Sequence, residues 1–354
     1  MLGVGKRCRE AGGRVSQGLE FSSVLRTIGR GPNLSRALSR DEAHAAMGLI
    51  LAGQAEPAQI GAFLLLLRYR GETAAELAGM VAAARETLAV PDAPAPDAPA
   101  RVDLDWPSYA DRHRQQPWFV LAALLLAENG VKVLMHGIAG AAAGHAPTRP
   151  VLAALGLTIS PSLAAAAADL ARDNFAYVGL ESICPPLHAL FDLRPVLGVR
   201  TAVNSLARAL NPWRAAHQLQ GVFHPPYQVL HRDAALLEGQ PHAAIFKGGG
   251  GEVQRNPLKP CRVAWVREGA ASEEDWPALR PDEAYAWREE PLDPARVAAL
   301  WRGDIDLPAP VAAITGTAAL GLAVLGRAGG PAEAQAMAEA MWRDRPKAKY
   351  GAAA

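Results

Sequence analysis

Apolar residues recur at helical spacing in three neighbouring segments near the start of the chain, and each segment opens on a helix-start signal. Ser39 and Thr73 are each followed three residues later by a glutamate, which is the capping-box pattern. Pro57 opens the segment between them, in the first-turn position that proline favours. Short amphipathic helices cannot bury their apolar faces alone, so the pattern predicts a small helical domain over residues 34 to 90.

Beyond residue 100, short apolar runs alternate with helical patterns. The runs predict buried strands at residues 131–135, 175–178, 243–246 and 263–266. The helical patterns lie at residues 118–128, 162–172, 196–210, 227–238, 311–325 and 332–342. Such alternation predicts an α/β domain with a mainly parallel central sheet, crossover connections and helices on both faces, over residues 101 to 345.

Residues 198 to 212, GVRTAVNSLARALNP, predict an amphipathic helix with an unusual polar side. The apolar stripe consists of Val199, Val203, Leu206 and Leu210. The polar side consists of Arg200, Asn204, Arg208 and Asn211. Pro212 ends the helix, because the residue before a proline is disfavoured in helical conformation. Taken alone, such a polar side is more often solvated than functional.

Charge is distributed unevenly along the 354 residues, although the formal net charge is only +1. The near-neutral total excludes a uniformly basic, histone-like surface but leaves room for local basic patches. Residues 1 to 33 are rich in glycine and arginine and predict a flexible or loosely docked basic arm, with order beginning near Leu34. Acidic residues concentrate between residues 273 and 306.

The proline- and alanine-rich tract PDAPAPDAPA, residues 91 to 100, predicts an extended linker between the two domains. Cys8, Cys184 and Cys261 are odd in number and far apart, so neither a disulfide framework nor a thiolate zinc site is indicated. No apolar run is long enough to span a bilayer, and the N-terminus lacks the apolar core of a signal peptide. We therefore expect a cytoplasmic protein without membrane contact.

Two long motifs resemble one known family. Residues 38 to 80 resemble the N-terminal helical domain of the anthranilate phosphoribosyltransferase and nucleoside phosphorylase family, and residues 198 to 212 resemble its signature GxRTxFNxLGPLxNP. The resemblance covers most of residues 34 to 345. It implies that a middle segment, about residues 161 to 195, joins the helical domain, that a cleft separates the two domains, and that two copies form a homodimer through the helical domain.

Four stretches depart from the catalytic members of that family. Residues 102 to 112, VDLDWPSYADR, stand where the family's glycine-rich GTGGD loop presents backbone N–H groups to pyrophosphate. The family's KHGNR corresponds here to LMHGIA at residues 134 to 139, and its GSAD to residues 146 to 149. The paired Asp-Glu that helps to hold magnesium corresponds to Gly251-Glu252, which leaves one carboxylate. Together these departures argue against ordinary anthranilate phosphoribosyl transfer.

The altered stretches are similar to a divergent, YbiB-type branch of the family. PSY at residues 107–109, CPPL at residues 184–187 and GEVxxNP at residues 251–257 carry this similarity. It implies non-specific binding of DNA or RNA along a basic cleft, without cofactor or metal. The candidate contacts are Arg112, Arg114, Arg149, Arg200, Arg208, Lys247 and Arg255.

Other interpretations stay open at this point. The protein is alternatively a phosphoribosyl- or glycosyltransferase with a changed substrate, which would use magnesium and Glu252, or a dimeric scaffold for a small anion. Trp106, Tyr109 and Trp118 interleave with cations, as in a loop that stacks nucleic-acid bases, but they are equally suited to packing between the domains. The glycine run at residues 248–251 is either an anion cradle or a flexible turn. His217, His224 and His231 are spaced by seven, and the intervening prolines disfavour a shared metal.

Overall fold

The structure, a computed structural model, describes residues 20–89, 102–110, 114–140 and 145–351. Its first half contains α1 Phe21–Gly29, α2 Arg40–Leu51, α3 Pro57–Arg70, α4 Ala74–Glu86, β1 Leu104–Ser108, α5 Phe119–Glu128, β2 Val133–Gly137, α6 Thr148–Ala154, α7 Leu163–Asp173 and β3 Phe175–Gly179. The second half contains α8 Leu180–Ile183, α9 Pro185–Ala189, α10 Leu193–Leu197, α11 Val203–Arg208, β4 His217–Val222, α12 Pro226–Leu237, β5 His242–Lys247, β6 Cys261–Arg267, β7 Ala270–Trp276, α13 Pro294–Arg302, α14 Pro308–Val324 and α15 Pro331–Asp344. Single 3-10 turns lie at Leu190–Asp192 and Gly249–Gly251.

Both predicted capping boxes are present at the starts of α2 and α4. The Ser39 side chain accepts the Glu42 N–H while the Glu42 carboxylate accepts the Ser39 N–H, and Thr73 and Glu76 make the same exchange. The two helices pack closely at Gly79, where an added Cβ would lie only 2.1 Å from the backbone oxygen of Arg40. Local capping therefore starts these helices, and a glycine permits their contact.

The expectation that order begins near Leu34 is wrong. Residues 21 to 29 form α1, which buries Phe21, Val24 and Ile28 on one side. The ring of Phe21 meets that of Phe63 on α3 edge to face, with centroids 5.8 Å apart. The apolar spacing of this helix is regular, but it covers only nine residues next to a Gly- and Arg-rich stretch. The rest of the predicted arm, residues 1–19, and the predicted linker, residues 91–100, lie outside the described residues.

The described strands form one seven-stranded sheet in the order β3-β2-β1-β4-β5-β6-β7. Strands β1 to β5 are parallel, while β6 and β7 continue the sheet as an antiparallel hairpin. The four predicted strands correspond to β2, β3, β5 and β6, which confirms the mainly parallel sheet. Strands β1, β4 and β7 were not predicted.

Side chains of successive residues in β1 point to opposite faces of the sheet and so enter two different cores. Leu104 and Trp106 pack with α5, α13, α14 and α15 on one face. Tyr109 packs on the other face, in a core shared with the helical domain. The middle segment joins this second core: Cys184 and Leu187 are buried in it, and the Cys184 thiol lies 3.2 Å from the Thr87 hydroxyl at the end of α4.

A buried arginine ties the helical domain to the α/β domain. Arg85 on α4 donates to the backbone oxygen of Leu210 at 2.6 Å and pairs with Glu238, at the end of α12, at 3.0 Å. The same Glu238 carboxylate pairs with Arg40 at 2.6 Å. Burial lowers the pKa of Arg85 to about 10 against the opposing effect of Glu238, so the side chain stays charged at neutral pH. Among the described residues, no helix has the length and apolar character needed to cross a membrane.

Candidate functional site

Polar side chains collect at the carboxyl ends of the parallel strands, where α/β sheets place their ligand sites. A chain of buried polar side chains runs through the sheet: Tyr109, His136, Asp105, Gln218, Gln220 and His231. Its members are joined by hydrogen bonds except between His136 and Asp105, where Nε2 lies 3.1 Å from Oδ1 without forming one. Its links measure between 2.5 and 3.1 Å, and each of these residues is at most 2% exposed. Buried polar groups usually have hydrogen-bond partners, and these side chains supply several of them to one another across β2, β1, β4 and α12. Oδ1 of Asp105 and Nε2 of both His136 and His231 form no hydrogen bond with the described residues.

Glu252 lies just beyond this chain, in the loop after β5. Its carboxylate accepts the N–H of Ala110, at the end of the β1 segment, at 2.6 Å, and the residue is 3% exposed. Burial raises the pKa of Glu252 to about 7, against the charges of Arg208 and Arg200, which favour the ionised form. The carboxylate is thus already engaged by a backbone donor and by nearby cations.

Two glycines hold the Glu252 segment against the sheet. A Cβ added at Gly221 on β4 would lie 2.0 Å from the backbone oxygen of Glu252, and one added at Gly248 would lie 1.6 Å from it. Neither separation is compatible with a side chain. The glycine run therefore serves close backbone approach at Gly248, and Gly250, at φ 65°, supplies the left-handed turn that follows.

Arg149, one of the predicted contacts, is already paired within the protein. Its guanidinium donates to both carboxylate oxygens of Glu181, at 2.6 and 2.8 Å, and lies 5.8 Å from the centre of the Tyr177 ring. Burial raises the pKa of Tyr177 to about 12, so its hydroxyl stays protonated. A ligand would have to compete with Glu181 for this arginine.

The segment 198–212 is not one long amphipathic helix. Only Val203–Arg208 is helical, and all six of its residues are buried. Arg200 precedes this helix and is half-buried, while Arg208 is only 8% exposed and donates to the backbone oxygen of Asn204. The solvated outer side that periodicity alone favours is therefore absent, because the polar side faces the interior near Glu252.

Arg255 is wrong as a nucleic-acid contact. Its side chain is 1% exposed, lies 5.4 Å from the centre of the Trp276 ring and donates to the backbone oxygen of Pro277. The predicted aromatic loop is also wrong, because Trp106 belongs to β1 and is buried together with Tyr109 and Trp118. Packing between the domains, the alternative for these rings, describes Tyr109, whereas Trp106 and Trp118 pack in the core of the α/β domain.

A wide basic pocket opens where β4 and β5 end. Its cavity volume is about 570 Å³, and Lys247, Lys259, Arg262 and Arg288 bring four cations to its wall beside His224. No carboxylate lines it among the described residues. Arg262 pairs with Asp275 at 2.8 Å, whereas the other three cations form no ion pair with any described residue. We call this site, lined also by Phe223 and the Gly248–Gly250 backbone, the β4–β5 pocket.

The β4–β5 pocket brings together only part of the predicted set. Lys247 lines it, and the exposed Arg114 directly precedes Gln115, another lining residue. Arg200 and Arg208 lie near Glu252, and Arg149 is paired with Glu181. Arg112 lies outside the described residues. Sequence reasoning missed Phe223, His224 and Arg288 as members of a site. Two adjacent ring-bearing residues, Phe223 and His224, were the signal available for two of them.

The three evenly spaced histidines do not share a site. His217 stacks on His242 with ring centroids 4.9 Å apart, His231 belongs to the buried chain, and His224 is exposed at the β4–β5 pocket. No three His, Cys, Asp or Glu side chains of the described residues converge in a way that would hold a metal ion.

Comparison with known proteins assigns both domains to one family. The model of the glycosyl transferase family helical bundle domain matches residues 22–88, and that of the family's α/β domain matches residues 120–283. The anthranilate phosphoribosyltransferase of Oleidesulfovibrio alaskensis is 32% identical over 255 residues, which cover 72% of this chain and 74% of that protein. The uncharacterized protein YbiB of Escherichia coli is 28% identical over 293 residues, 77% of this chain and 88% of that protein.

Solved structures agree on the fold. Anthranilate phosphoribosyltransferase from Thermus thermophilus superposes with a TM-score of 0.73 at 24% identity, over 87% of this chain and 92% of that one. The Saccharomyces cerevisiae enzyme in complex with PRPP and Mg superposes with a TM-score of 0.69 at 17% identity, over 91% and 93% of the two chains. Two matched domains and the 32% identity together show that the chain belongs to the glycosyl transferase family that includes the anthranilate phosphoribosyltransferases.

Proposed function

We propose that this protein binds DNA or RNA without strong sequence preference, through the phosphates of the nucleic-acid backbone. The observation that carries the proposal is the β4–β5 pocket, where Lys247, Lys259 and Arg288 are exposed, form no ion pair with any described residue and face no lining carboxylate. Cations arranged in this way attract polyanions and release counterions when they contact phosphates. The exposed Arg114 directly precedes the lining residue Gln115 and adds a further cation close to the pocket in the chain.

Phosphoribosyl transfer is the rival function, because relatives with 32% identity are anthranilate phosphoribosyltransferases. The residues around Glu252 suit a magnesium complex of phosphoribosyl pyrophosphate poorly. The one carboxylate at the position of the family's acidic pair is 3% exposed, accepts the Ala110 N–H and lies in the field of Arg208. The described part of the segment that corresponds to the family's glycine-rich loop, residues 102–110, contains a buried strand followed by the buried Tyr109. We therefore derive no reaction step through magnesium.

Two further expectations belong to the proposal. We propose that two copies associate through the helical domain, where Leu65 and Tyr69 lie one turn apart on α3 and are 40% and 93% exposed. We also propose a cytoplasmic location, in which the free, buried Cys184 and Cys261 would stay reduced.

The test measures the binding of a fluorescent 20-mer oligonucleotide at several salt concentrations. For a single strand, log K should fall with log salt by about 0.7 for each contacted phosphate. The double variant Lys247→Ala/Arg288→Ala should make this slope shallower by about 1.4, since it removes two such contacts. The matched control is Lys347→Ala/Arg343→Ala, which also removes one lysine and one arginine, both exposed, from the C-terminal segment.

Phosphoribosyl pyrophosphate is titrated by calorimetry into the same preparation, with and without magnesium. Saturable, magnesium-dependent uptake would favour the transferase. Absence of oligonucleotide binding at low salt, or binding whose strength does not change with salt, would overturn the nucleic-acid proposal.

A further inference from the structure

An exposed aromatic side chain, Phe223, lines the β4–β5 pocket together with the three cations that form no ion pair with a described residue. Phe223 follows β4 directly and is 42% exposed, although phenylalanine is usually buried. Its ring meets that of His224 edge to face, with centroids 4.7 Å apart and an interplanar angle of 75°. Because His224 supports one edge of the Phe223 ring, the ring presents a face of defined orientation next to the cations.

We propose that the β4–β5 pocket binds a single-stranded polynucleotide by stacking one nucleobase on Phe223 while Lys247, Lys259 and Arg288 contact the flanking phosphates. This inference rests on the proposed function and specifies its ligand. Aromatic side chains interleaved with cations are the usual means by which proteins hold single strands, because every base has a face that can stack. Two separate features of the pocket therefore match the two parts of a nucleotide: the exposed Phe223 ring matches the base, and the cations match the phosphate.

The dimensions of the β4–β5 pocket agree with this ligand. Its volume of about 570 Å³ lies within the range of about 300 to 1,000 Å³ that is typical of sites for small organic groups. Gly248, Gly249 and Gly250 line it without side chains, so a sugar and its phosphate can approach the backbone closely.

Single strands are favoured over duplexes for a geometric reason. In a duplex each base already stacks on its neighbours, and a lone phenylalanine gains a base face only by unstacking and unpairing it, which costs a few kcal/mol. In a single strand the bases are free to splay out onto a protein ring. Phe223 should therefore add affinity for single strands and little for duplexes.

The experiment tests whether the Phe223 ring contributes to binding only when the ligand offers an unpaired base. The full-length protein is titrated with three ligands of equal length: oligo-dT, an abasic oligomer with the same phosphates, and a DNA duplex. Stacking of one base typically corresponds to a loss of about 5- to 150-fold on alanine substitution. We expect Phe223→Ala to weaken oligo-dT binding by about tenfold, to leave abasic and duplex binding within about twofold, and to keep the salt slope.

Phe223→Trp is the conservative variant. It should bind oligo-dT as tightly as wild type or more tightly, because the indole ring offers a larger face for stacking. Phe223→Leu keeps an apolar side chain without the aromatic face, so it should bind like Phe223→Ala. Unchanged thermal unfolding of all three variants shows that the fold is kept. An oligo-RNA arm shows whether ribose changes the affinity while the requirement for the ring persists.

The outcomes separate this inference from the proposed function. Equal oligo-dT affinity of wild type and Phe223→Ala would overturn base stacking, and the salt slope of Lys247→Ala/Arg288→Ala would still report backbone binding. An equal loss of oligo-dT and abasic binding in Phe223→Ala would likewise overturn stacking, because the ring would then support the pocket and not a base. Failure of every oligonucleotide to bind at low salt would overturn both proposals.

Discussion

At the scale of single residues, Glu252 is the group whose surroundings differ most from those of an ordinary carboxyl. Burial raises its pKa to about 7, above the value of about 4.3 in an unfolded chain. The folded protein therefore retains a proton that the unfolded chain releases between these two values. The resulting stabilisation is complete below about pH 4.3 and is lost as pH rises towards 7.

We predict that Glu252→Gln gains stability relative to wild type as pH rises. Glutamine resembles the protonated carboxyl, can still accept the Ala110 N–H and carries no charge to desolvate. The free energy of unfolding of the variant minus that of wild type should increase by about 3 kcal/mol between pH 4.5 and pH 8. Urea unfolding at the two pH values measures it.

The unfolding free energy of Glu252→Gln is compared with that of wild type because other groups of the protein also titrate in this pH range. Burial lowers the pKa of His231 to about 3, so its contribution to stability is lost as pH falls below about 6.5, in the opposite sense to Glu252. His231 is common to both proteins and cancels. Glu289→Gln, at an exposed site, is the control and should show no pH-dependent gain. An equal stability difference for Glu252→Gln at both pH values would contradict the raised pKa.

The sequence predicted which kinds of residue belong to the site, but it did not predict which of them are exposed. The sequence indicated Lys247 and Arg114, which are exposed, with the same weight as Arg208 and Arg255, which are buried. Some arginines are held by residues that are distant in the chain, as Arg149 is by Glu181. Periodicity carries no information on such contacts, so the β4–β5 pocket emerges only in three dimensions.

At the scale of elements, local signals predicted the capped helices α2 and α4, and long-range contacts explain why strands β1 and β4 were missed. The capping boxes of α2 and α4 are formed within four residues, and both helices begin where their caps predict. Strands β1 and β4 carry Asp105, Gln218 and Gln220 at positions where a strand pattern requires apolar residues. Gln218 donates to Asp105 on the neighbouring strand and accepts from Gln220 on its own strand, so the burial of these polar side chains depends on a contact that no single segment reveals.

The packing of α2 against α4 yields a prediction about two glycines. Gly79→Ala should destabilise the protein by about 1 to 3 kcal/mol, because the new methyl group would lie 2.1 Å from the backbone oxygen of Arg40 and force the helices apart. Helix propensity acts in the opposite direction and favours alanine by about 1 kcal/mol. Urea unfolding compares the variant with wild type.

Gly48→Ala is the matched control on α2. An added Cβ there meets nothing within 4 Å, so only the propensity gain remains and stability should rise by up to about 1 kcal/mol. Opposite signs for the two substitutions would show that helix contact, and not glycine content, decides the effect. A stabilising Gly79→Ala would contradict the close approach of α2 and α4.

At the scale of the whole molecule, charged contacts reinforce the apolar core that the two domains share, and the proposed dimer would form through an apolar surface. Glu238 of the α/β domain binds both Arg40 and Arg85 of the helical domain, which keeps the domains in register beside the site. The proposed dimer contact on α3 lies in the helical domain itself. A dimer would carry two β4–β5 pockets, and a polynucleotide long enough to reach both would bind by an effectively intramolecular second step.

We predict that Leu65→Asn/Tyr69→Ser yields monomers in sedimentation experiments, because it replaces the exposed apolar side chains of α3 with polar ones. Short oligonucleotides that fill one pocket should bind the variant and wild type equally. Long single strands should bind the variant at least about tenfold more weakly, since the avidity of two linked sites is lost. Val229→Asn/Leu237→Ser, which changes two exposed apolar residues of α12, is the control and should leave both properties unchanged. A variant that remains dimeric would place the interface elsewhere, and a monomer that keeps its affinity for long strands would show that each pocket acts alone.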